Sequence, residues 1–294
     1  MQRRPKITVV GSINMDIVTI TKTVPKMGQT VKGEQFKTNP GGKGANQAVA
    51  AARLGADVQM VGCVGNDGFG REVLKNLQEQ GVNISHVEPV TDCTGTATII
   101  VSNKDNSIIV VSGANDHVTT DYVEAKRSVI AESDILLLQL EIPLASVKKA
   151  VQIAKENGVK VILNPAPIQE LPDDLLDEID YITPNEHELD LLKESYEFQK
   201  LQEKVIVTKG SEGVIFYENG KEIAIRSYNV DVVDTTGAGD SFNGAFAVAL
   251  SKGMSLKAAC KYGNAVGALS TTKLGAQAGM PTKEEVEKFI AVRG

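Results

Sequence analysis

The stretch Asp234-Thr-Thr-Gly-Ala-Gly-Asp240-Ser-Phe-Asn-Gly244 combines two carboxylates with closely spaced glycines and a small apolar run. Glu222 to Val233 before it is rich in β-branched residues, and Ser241 to Leu250 after it is small and apolar at helical spacing. The pattern predicts a strand, a glycine turn and a helix start. Gly237 and Gly239 flank Ala238 and leave the peptide N–H groups at the helix N-terminus open to an anion. A phosphate group fits such a place. Asp240, in the first helical turn, would then accept a proton from a hydroxyl that attacks the phosphate. Taken alone, Asp240 could equally complement the helix dipole and Asp234 cap a turn.

Four other stretches carry polar groups at places where chemistry is done. Gly11-Ser-Ile-Asn14-Met-Asp16 is a polar loop after the apolar run Lys6 to Val10, at the carboxyl strand end where open α/β sheets bind ligands. Asn39-Pro-Gly-Gly-Lys-Gly-Ala-Asn46 opens an alanine-rich helix to about Leu54, and its spacing is not the G-x-x-x-x-G-K-[ST] of a P-loop. Asn185-Glu-His-Glu188 has capping-box spacing, which accounts for it without any function. Thr208-Lys-Gly-Ser-Glu-Gly213 follows the buried strand Val205 to Thr208 and by itself reads as an ordinary turn.

The elements that must position these groups follow a βα rhythm. Helices end at glycine and β-branched runs follow at Leu54-Gly-Ala-Asp-Val, Gln80-Gly-Val-Asn-Ile and Asn157-Gly-Val-Lys-Val, which indicates a largely parallel sheet. Two β excursions interrupt it. Ile17 to Lys37 alternates around Pro25 and Gly28, and Thr94 to Val111 reads as a hairpin around Asn103-Lys-Asp-Asn106. They predict a small sheet that covers the site as a lid or pairs with a second subunit, the plainer alternative being an extended edge of the main sheet. Further expectations are a helix from Asp121 to Glu132, strands Ile135 to Gln139, Val159 to Leu163 and Ile179 to Ile182, a helix Leu144 to Glu156 and a hairpin turning at Asn219-Gly220. Helices to Leu250, from Leu256 to about Ser270 and from Pro281 complete the chain. No low-complexity linker divides it, so 1–294 reads as one doubly wound α/β domain with a β lid from about 12–40 and 93–117.

Composition sets the outer limits. With 294 residues, 42% hydrophobic and 23% charged, the chain can bury a large core. Its net charge of −6 and scattered Lys and Arg argue against a nucleic-acid or anionic-membrane surface. Cys63, Cys93 and Cys260 are far apart without metal-site spacing, and three free, buried thiols suit a cytoplasm. After Met1-Gln-Arg-Arg comes only the short run Ile7 to Val10, which reads as a core strand rather than a signal peptide, and no stretch is long enough to span a membrane.

The stretch around Asp240 resembles the C-terminal signature of the ribokinase (PfkB-type) carbohydrate kinase family, and motifs match in order from Gly11 to Pro281. The resemblance implies a ribokinase-like fold and an ATP-dependent kinase. It places the sugar on Asn14, Asp16, Gly42, Lys43, Gly44, Ala45, Asn46 and Glu141, and Asn14 and Asp16 suit vicinal hydroxyls as donor and acceptors. It makes Asp240 the general base, with an anion hole at 237–240 formed on Gly237, Ala238 and Gly239 and using the backbone N–H groups of Ala238 to Asp240. It sets the nucleotide on Asn185, Thr208, Lys209, Gly210, Ser211, Glu212, Gly213 and Asn264, with Gly239 and Asp240 close by. Glu188 would orient a hydrated Mg2+. An activating K+ would be held, largely by backbone carbonyls, at Asp234, Thr236, Ser270, Lys273, Gly275 and Gly279. The family also implies a homodimer through the lid sheet. One departure is a shortened segment between Glu188 and Val205, where an outer helix is expected to be trimmed.

The function these implications favour is phosphorylation of D-ribose to D-ribose 5-phosphate. A phosphosugar would require more basic residues than Lys43, and a nucleoside an aromatic platform that a chain with 4% aromatics and no Trp scarcely offers. Alternatives are a kinase of another small sugar or nucleoside and a non-catalytic sugar or nucleotide sensor on the same fold. A dinucleotide oxidoreductase is disfavoured because no G-x-G-x-x-G follows the first strand.

Overall fold

β1 (Lys6–Val10) is mainly β-branched and buries four of its five residues, as a strand covered on both faces must. The chain then leaves for β2 (Asn14–Ile20) and β3 (Gln35–Gly41), and α1 (Lys43–Arg53) brings it back. β4 (Asp57–Gly65), α2 (Gly68–Glu79) and β5 (Asn83–Val90) lead to the second excursion, β6 (Gly95–Ser102) and β7 (Asp105–Val111). Next come α3 (Thr120–Ala125), α4 (Arg127–Ala131), β8 (Ile135–Leu138), α5 (Leu144–Glu156), β9 (Lys160–Leu163), α6 (Asp173–Glu178) and β10 (Tyr181–Ile182). The remainder is α7 (Glu186–Ser195), α8 (Phe198–Leu201), β11 (Ile206–Thr208), β12 (Val214–Glu218), β13 (Lys221–Ile225), α9 (Ala238–Ser251), α10 (Leu256–Ser270), α11 (Ala276–Gly279) and α12 (Lys283–Arg293). This computed structural model describes residues 3–103 and 105–293, so Met1, Gln2, Lys104 and Gly294, including the centre of the β6–β7 turn, lie outside the described residues.

Six parallel strands stand in the order β10-β9-β8-β1-β4-β5. From β1 the chain moves on to β4 at one side, and from β8 to β9 at the other. Strand order therefore reverses between β1 and β8, and a crevice opens at their carboxyl ends. Side chains alternate across the sheet: Ile135 and Leu137 enter one core with α1, α9 and α10, while Leu136 and Leu138 enter the other with α5. The antiparallel set β11-β12-β13 adjoins β10 through the parallel bridges Ile182–Val205 and Asn185–Thr208. The two excursions form a sheet of their own, β3-β2-β6-β7, with β2 and β6 parallel at its centre. They do not extend the main sheet's edge.

Three expectations need correction. β13 ends at Ile225, so no strand runs into Asp234: Val233 and Asp234 instead donate their N–H groups to Thr271 O at the end of α10, at 2.8 and 3.1 Å. The helix expected over 121–132 is broken at Lys126 into α3 and α4. Cys93 is exposed on the connection between β5 and β6, while Cys63 and Cys260 are buried free thiols. No helix of the described residues is long and apolar enough to cross a membrane.

α1 and α9 cross in close contact because Gly244 has no side chain. A Cβ there would stand 2.6 Å from Ala50 Cβ and 2.8 Å from Gln47 O, so α9 would have to move away. Overpacking of this kind costs about 1–3 kcal/mol. Gly244→Ala is expected to lower the melting temperature by roughly 3–10 °C in a calorimetric scan; an unchanged value would refute the tight crossing.

Candidate active site

α9 begins at Ala238 because Gly237, its N-cap, adopts a left-handed conformation with φ of 77°. Asp240 is the third helical residue and only 9% exposed. Its two oxygens are separately held: Oδ2 accepts from Asn46 Nδ2 at 2.9 Å and Oδ1 from Gln47 Nε2 at 3.0 Å. Burial pushes its carboxyl above the usual carboxylate range, against the opposing pull of Lys43 and the two amides. Such a carboxylate is a fixed and strengthened proton acceptor. The Gly239 and Asp240 N–H groups have no protein partner among the described residues, whereas that of Ala238 donates to Thr235 O at 3.2 Å. An anion at this helix end would meet the first two rather than all three.

Behind Asp240 runs a buried chain of amides built on strand ends. Gln139 follows β8, Asn164 follows β9 and Thr183 follows β10. Gln139 Nε2 donates to Gln47 Oε1 (2.6 Å), Gln47 Nε2 to Asn164 Oδ1 (3.1 Å) and Asn164 Nδ2 to Thr183 O (3.1 Å). Thr183 Oγ1 donates to Asn243 Oδ1 (2.6 Å), and Asn243 Nδ2 to Gly239 O (3.0 Å), which returns to the first turn of α9.

In front of Asp240 lies a cavity of about 660 Å3 at the β1/β8 crevice, lined below by Asn14, Asp16, Gly42, Lys43, Asn46 and Glu141. Ala97, Ile99, Ile108 and Val110 from the small sheet form its apolar roof. Three of the floor groups, Glu141, Asn14 and Asn46, are held from behind. Glu141 Oε2 accepts from Ser12 Oγ at 2.5 Å and from the Lys43 N–H at 3.0 Å, so it also caps α1, whose N-cap Gly42 has no side chain. Asn14 Oδ1 accepts from the buried Asn115 Nδ2 at 2.7 Å, which leaves its own NH2 for the cavity. Asn46 Oδ1 accepts from Gln277 Nε2 at 3.0 Å. Burial acts to lower the Lys43 ammonium, but Asp240, Glu141, Glu188 and Asp16 outweigh it, and Lys43 stays above its ordinary range. Burial, reinforced by Glu141 and Asp240, pushes the Asp16 carboxyl up to about 6.

A second group of expected residues lies along the sheet from this cavity. Asn185 and Glu188 form the capping box, each side chain 2.8 Å from the other's backbone N–H. Among the described residues Glu188 Oε1 has no protein partner. Asn185 bridges to Thr208, and Lys209 pairs with Glu186 (3.3 Å) and Glu212 (2.9 Å) beside Gly210, Ser211 and Gly213. Asn264 Nδ2 donates to Ile225 O at 3.0 Å, which brings α10 beside the end of β13.

No group of three or more His, Cys, Asp or Glu among the described residues could hold a metal ion alone. A divalent ion would draw most of its ligands from nucleotide phosphates and water, for which one acid such as Glu188 suffices. The loop over 270–279, where a monovalent cation is expected, offers backbone carbonyls beside Gly279. A Cβ on Gly279 would stand 2.5 Å from Ser270 O and 3.5 Å from Lys273 O, so these carbonyls converge where no side chain intrudes. Asp234 braces the adjoining turn: Oδ1 accepts from Thr236 N and Oγ1 (2.9 and 2.7 Å) and Oδ2 from Gly275 N (2.8 Å).

Gly44 and Ala45 stand behind the cavity wall rather than in it. Their N–H groups donate to Ser12 Oγ (3.2 Å) and Ser12 O (2.9 Å), and Ala45 is 1% exposed. Sequence reasoning missed Ser12, Gln47, Asn115, Gln139, Asn164 and Gln277. A polar residue directly after an apolar strand, as at Gln139, Asn164 and Thr183, was the available signal.

A profile described as the pfkB family carbohydrate kinase matches residues 4–283. A ribokinase of Bacillus subtilis (strain 168) is 45% identical over 97% of this chain and 99% of its own length. A ribokinase of Haemophilus influenzae is 43% identical over 98% and 99%. The solved structure of an Arabidopsis thaliana ribokinase complexed with ribose and ATP superimposes with a TM-score of 0.89 at 34% identity, covering 98% of this chain and 99% of that one.

The raised Asp16 carboxyl has a stability consequence of definite sign. Relative to an unfolded value near 3.8, the neutral form favours the fold fully below about pH 4, and that contribution is lost as pH rises through about 6. At about 1.4 kcal/mol per pKa unit, the ionised carboxylate costs on the order of 2–3 kcal/mol. Ligand-free Asp16→Asn is expected to melt roughly 4–10 °C above the parent at pH 8, with the gap about halved at pH 5. Thermal unfolding at both pH values checks this, and a gap independent of pH would contradict it.

Proposed function

The chain belongs to the pfkB family of carbohydrate kinases, and on that premise we propose that it transfers the γ-phosphoryl group of ATP to the primary hydroxyl of D-ribose, giving D-ribose 5-phosphate. The observation that carries this reading is the Asp240 carboxylate, fixed at both oxygens and facing a polar floor beneath an apolar roof. A pentose has hydroxyls for the floor and C–H faces for the roof. Lys43 is the one basic residue among the described residues lining the cavity, and none of those residues is aromatic, which disfavours a phosphosugar or a nucleoside.

In this mechanism Asn14, Asp16, Gly42, Lys43, Asn46 and Glu141 orient the sugar, and Asp240 takes the proton from its attacking hydroxyl. The Gly239 and Asp240 N–H groups, at the positive end of α9, receive the charge that develops on the transferring group. Asn185, the turn 208–213 and Asn264 form the nucleotide side. Glu188 would hold a water-coordinated Mg2+, which supplies charge neutralisation at the phosphates. A K+ bound by the Ser270 and Lys273 carbonyls, with Asp234, Thr236, Gly275 and Gly279 shaping the loop, would stiffen the turn that carries Gly237. The sheet β3-β2-β6-β7 acts as a lid that excludes water from the transfer.

A homodimer through this lid is supported by β7, an edge strand whose Ile108, Ile109, Val110 and Val111 are all 49–62% exposed. A cytoplasmic location agrees with the buried free thiols and with the supply of ATP.

ADP release with D-ribose, fructose 6-phosphate, adenosine or no sugar tests the substrate. Ribose-dependent turnover is expected, stimulated by potassium. Asp240→Ala should lower kcat about 10²- to 10⁴-fold while ribose still binds; turnover independent of Asp240, or none with ribose, would overturn the reading. The Asp16 carboxyl adds a pH dependence. Sugar hydroxyls donate to the ionised form, so ribose affinity should fall as pH drops below about 6. Calorimetric titration at pH 5 and 8 would show this, and equal affinity would remove Asp16 from the sugar's partners.

A further inference from the structure

Gln47 is wholly buried one position after Asn46 and lines no part of the cavity, yet its amide reaches the reacting side of the site. Which end of that amide faces Asp240 is decided far away. The Thr183 carbonyl is backbone and only accepts, so Asn164 must turn Nδ2 towards it and Oδ1 towards Gln47. Gln47 must then present Nε2 to Asn164 and Oε1 to Gln139, whose Nε2 lies 2.6 Å away. With its NH2 so directed, the second hydrogen meets Asp240 Oδ1 at 3.0 Å.

Resting on the reading of Asp240 as the base, we propose that Gln47 is a positioning residue for the phosphoryl-transfer step: its polarity, set by the Thr183 carbonyl through Asn164, holds Asp240 Oδ1 and leaves the carboxylate in one orientation. Asn46 fixes the other oxygen and itself touches the cavity, so Gln47 is the clamp with no substrate contact. The charged groups around Asp240 on the neighbouring elements are Lys43 on α1, Asp16 on β2 and Glu141 after β8, with Glu188 on α7 acting on Lys43. None of them is altered by a change at Gln47.

The test is the pH dependence of the single-turnover rate at saturating ribose and ATP, conditions in which Asp16 is already engaged by the sugar. Both hydrogen bonds to Asp240 favour its ionised form, so losing one raises its pKa and moves the acidic limb to higher pH. Gln47→Met, similar in volume and without donors, should lower the rate roughly 10- to 100-fold and move the limb upward. Gln47→Glu places a like charge beside Asp240 and should move it further, by about one pH unit or more. Gln139→Met leaves Gln47 in place but releases its Oε1, and should give a smaller shift of the same sign. It also serves should both Gln47 variants fail to fold. Unmoved limbs in the variants that fold, with only the melting temperature lowered, would overturn the proposal and leave Gln47 a packing residue. A parent-like rate in Asp240→Ala would instead overturn the assignment of the base itself.

Discussion

The site depends on one buried charge held between two helices. Asp240 is nearly covered, and an uncompensated carboxylate there would be costly, so its two amide donors and the nearby Lys43 are conditions of folding as much as of chemistry. Both donors come from α1 and the acceptor from α9. The distance between these helices is therefore the quantity that matters, and the absence of a side chain at Gly244 sets it. Packing energy from one core is converted into the position of a single proton acceptor.

Parallel topology does the rest. Strand order reverses between β1 and β8, so Asn14, Asp16 and Glu141 arrive at one crevice from connections that diverge. The same topology aligns the ends of β8, β9 and β10 so that Gln139, Asn164 and Thr183 can engage a common amide chain. Glu141 shows how few groups do this work: one of its oxygens orders Ser12 and caps α1, and the other remains for the cavity. In the small sheet β2 brings Asn14 and Asp16 to the floor, while β6 and β7 contribute no charge, only an apolar roof, which makes the polar floor more selective as water is excluded.

Much of this was legible in the chain. Asp234 to Gly244 stood out through the length of its match to a family signature, since glycines at a helix start and a carboxylate in its first turn serve the helix dipole equally well. Asn185 and Glu188 were readable as a capping box, and the two β excursions as a separate sheet. The part of Glu222 to Val233 beyond Ile225 was misread because β-branched residues state a preference that only a neighbouring strand can satisfy, and Thr271 O takes the Val233 and Asp234 N–H groups instead. Ser12, Gln47 and Asn115 were invisible for a different reason. Each is an ordinary polar residue whose partner lies about 30 to 190 positions away, and only the fold brings the pair together.

The most direct test of a preformed base is a crystal structure with D-ribose and a non-hydrolysable ATP analogue. The account predicts the primary hydroxyl of ribose ~3 Å from an Asp240 oxygen and in line with the γ-phosphorus, with Asn46 and Gln47 still donating to that carboxylate. A sugar bound with a different hydroxyl at Asp240, or an Asp240 released from both amides, would contradict it.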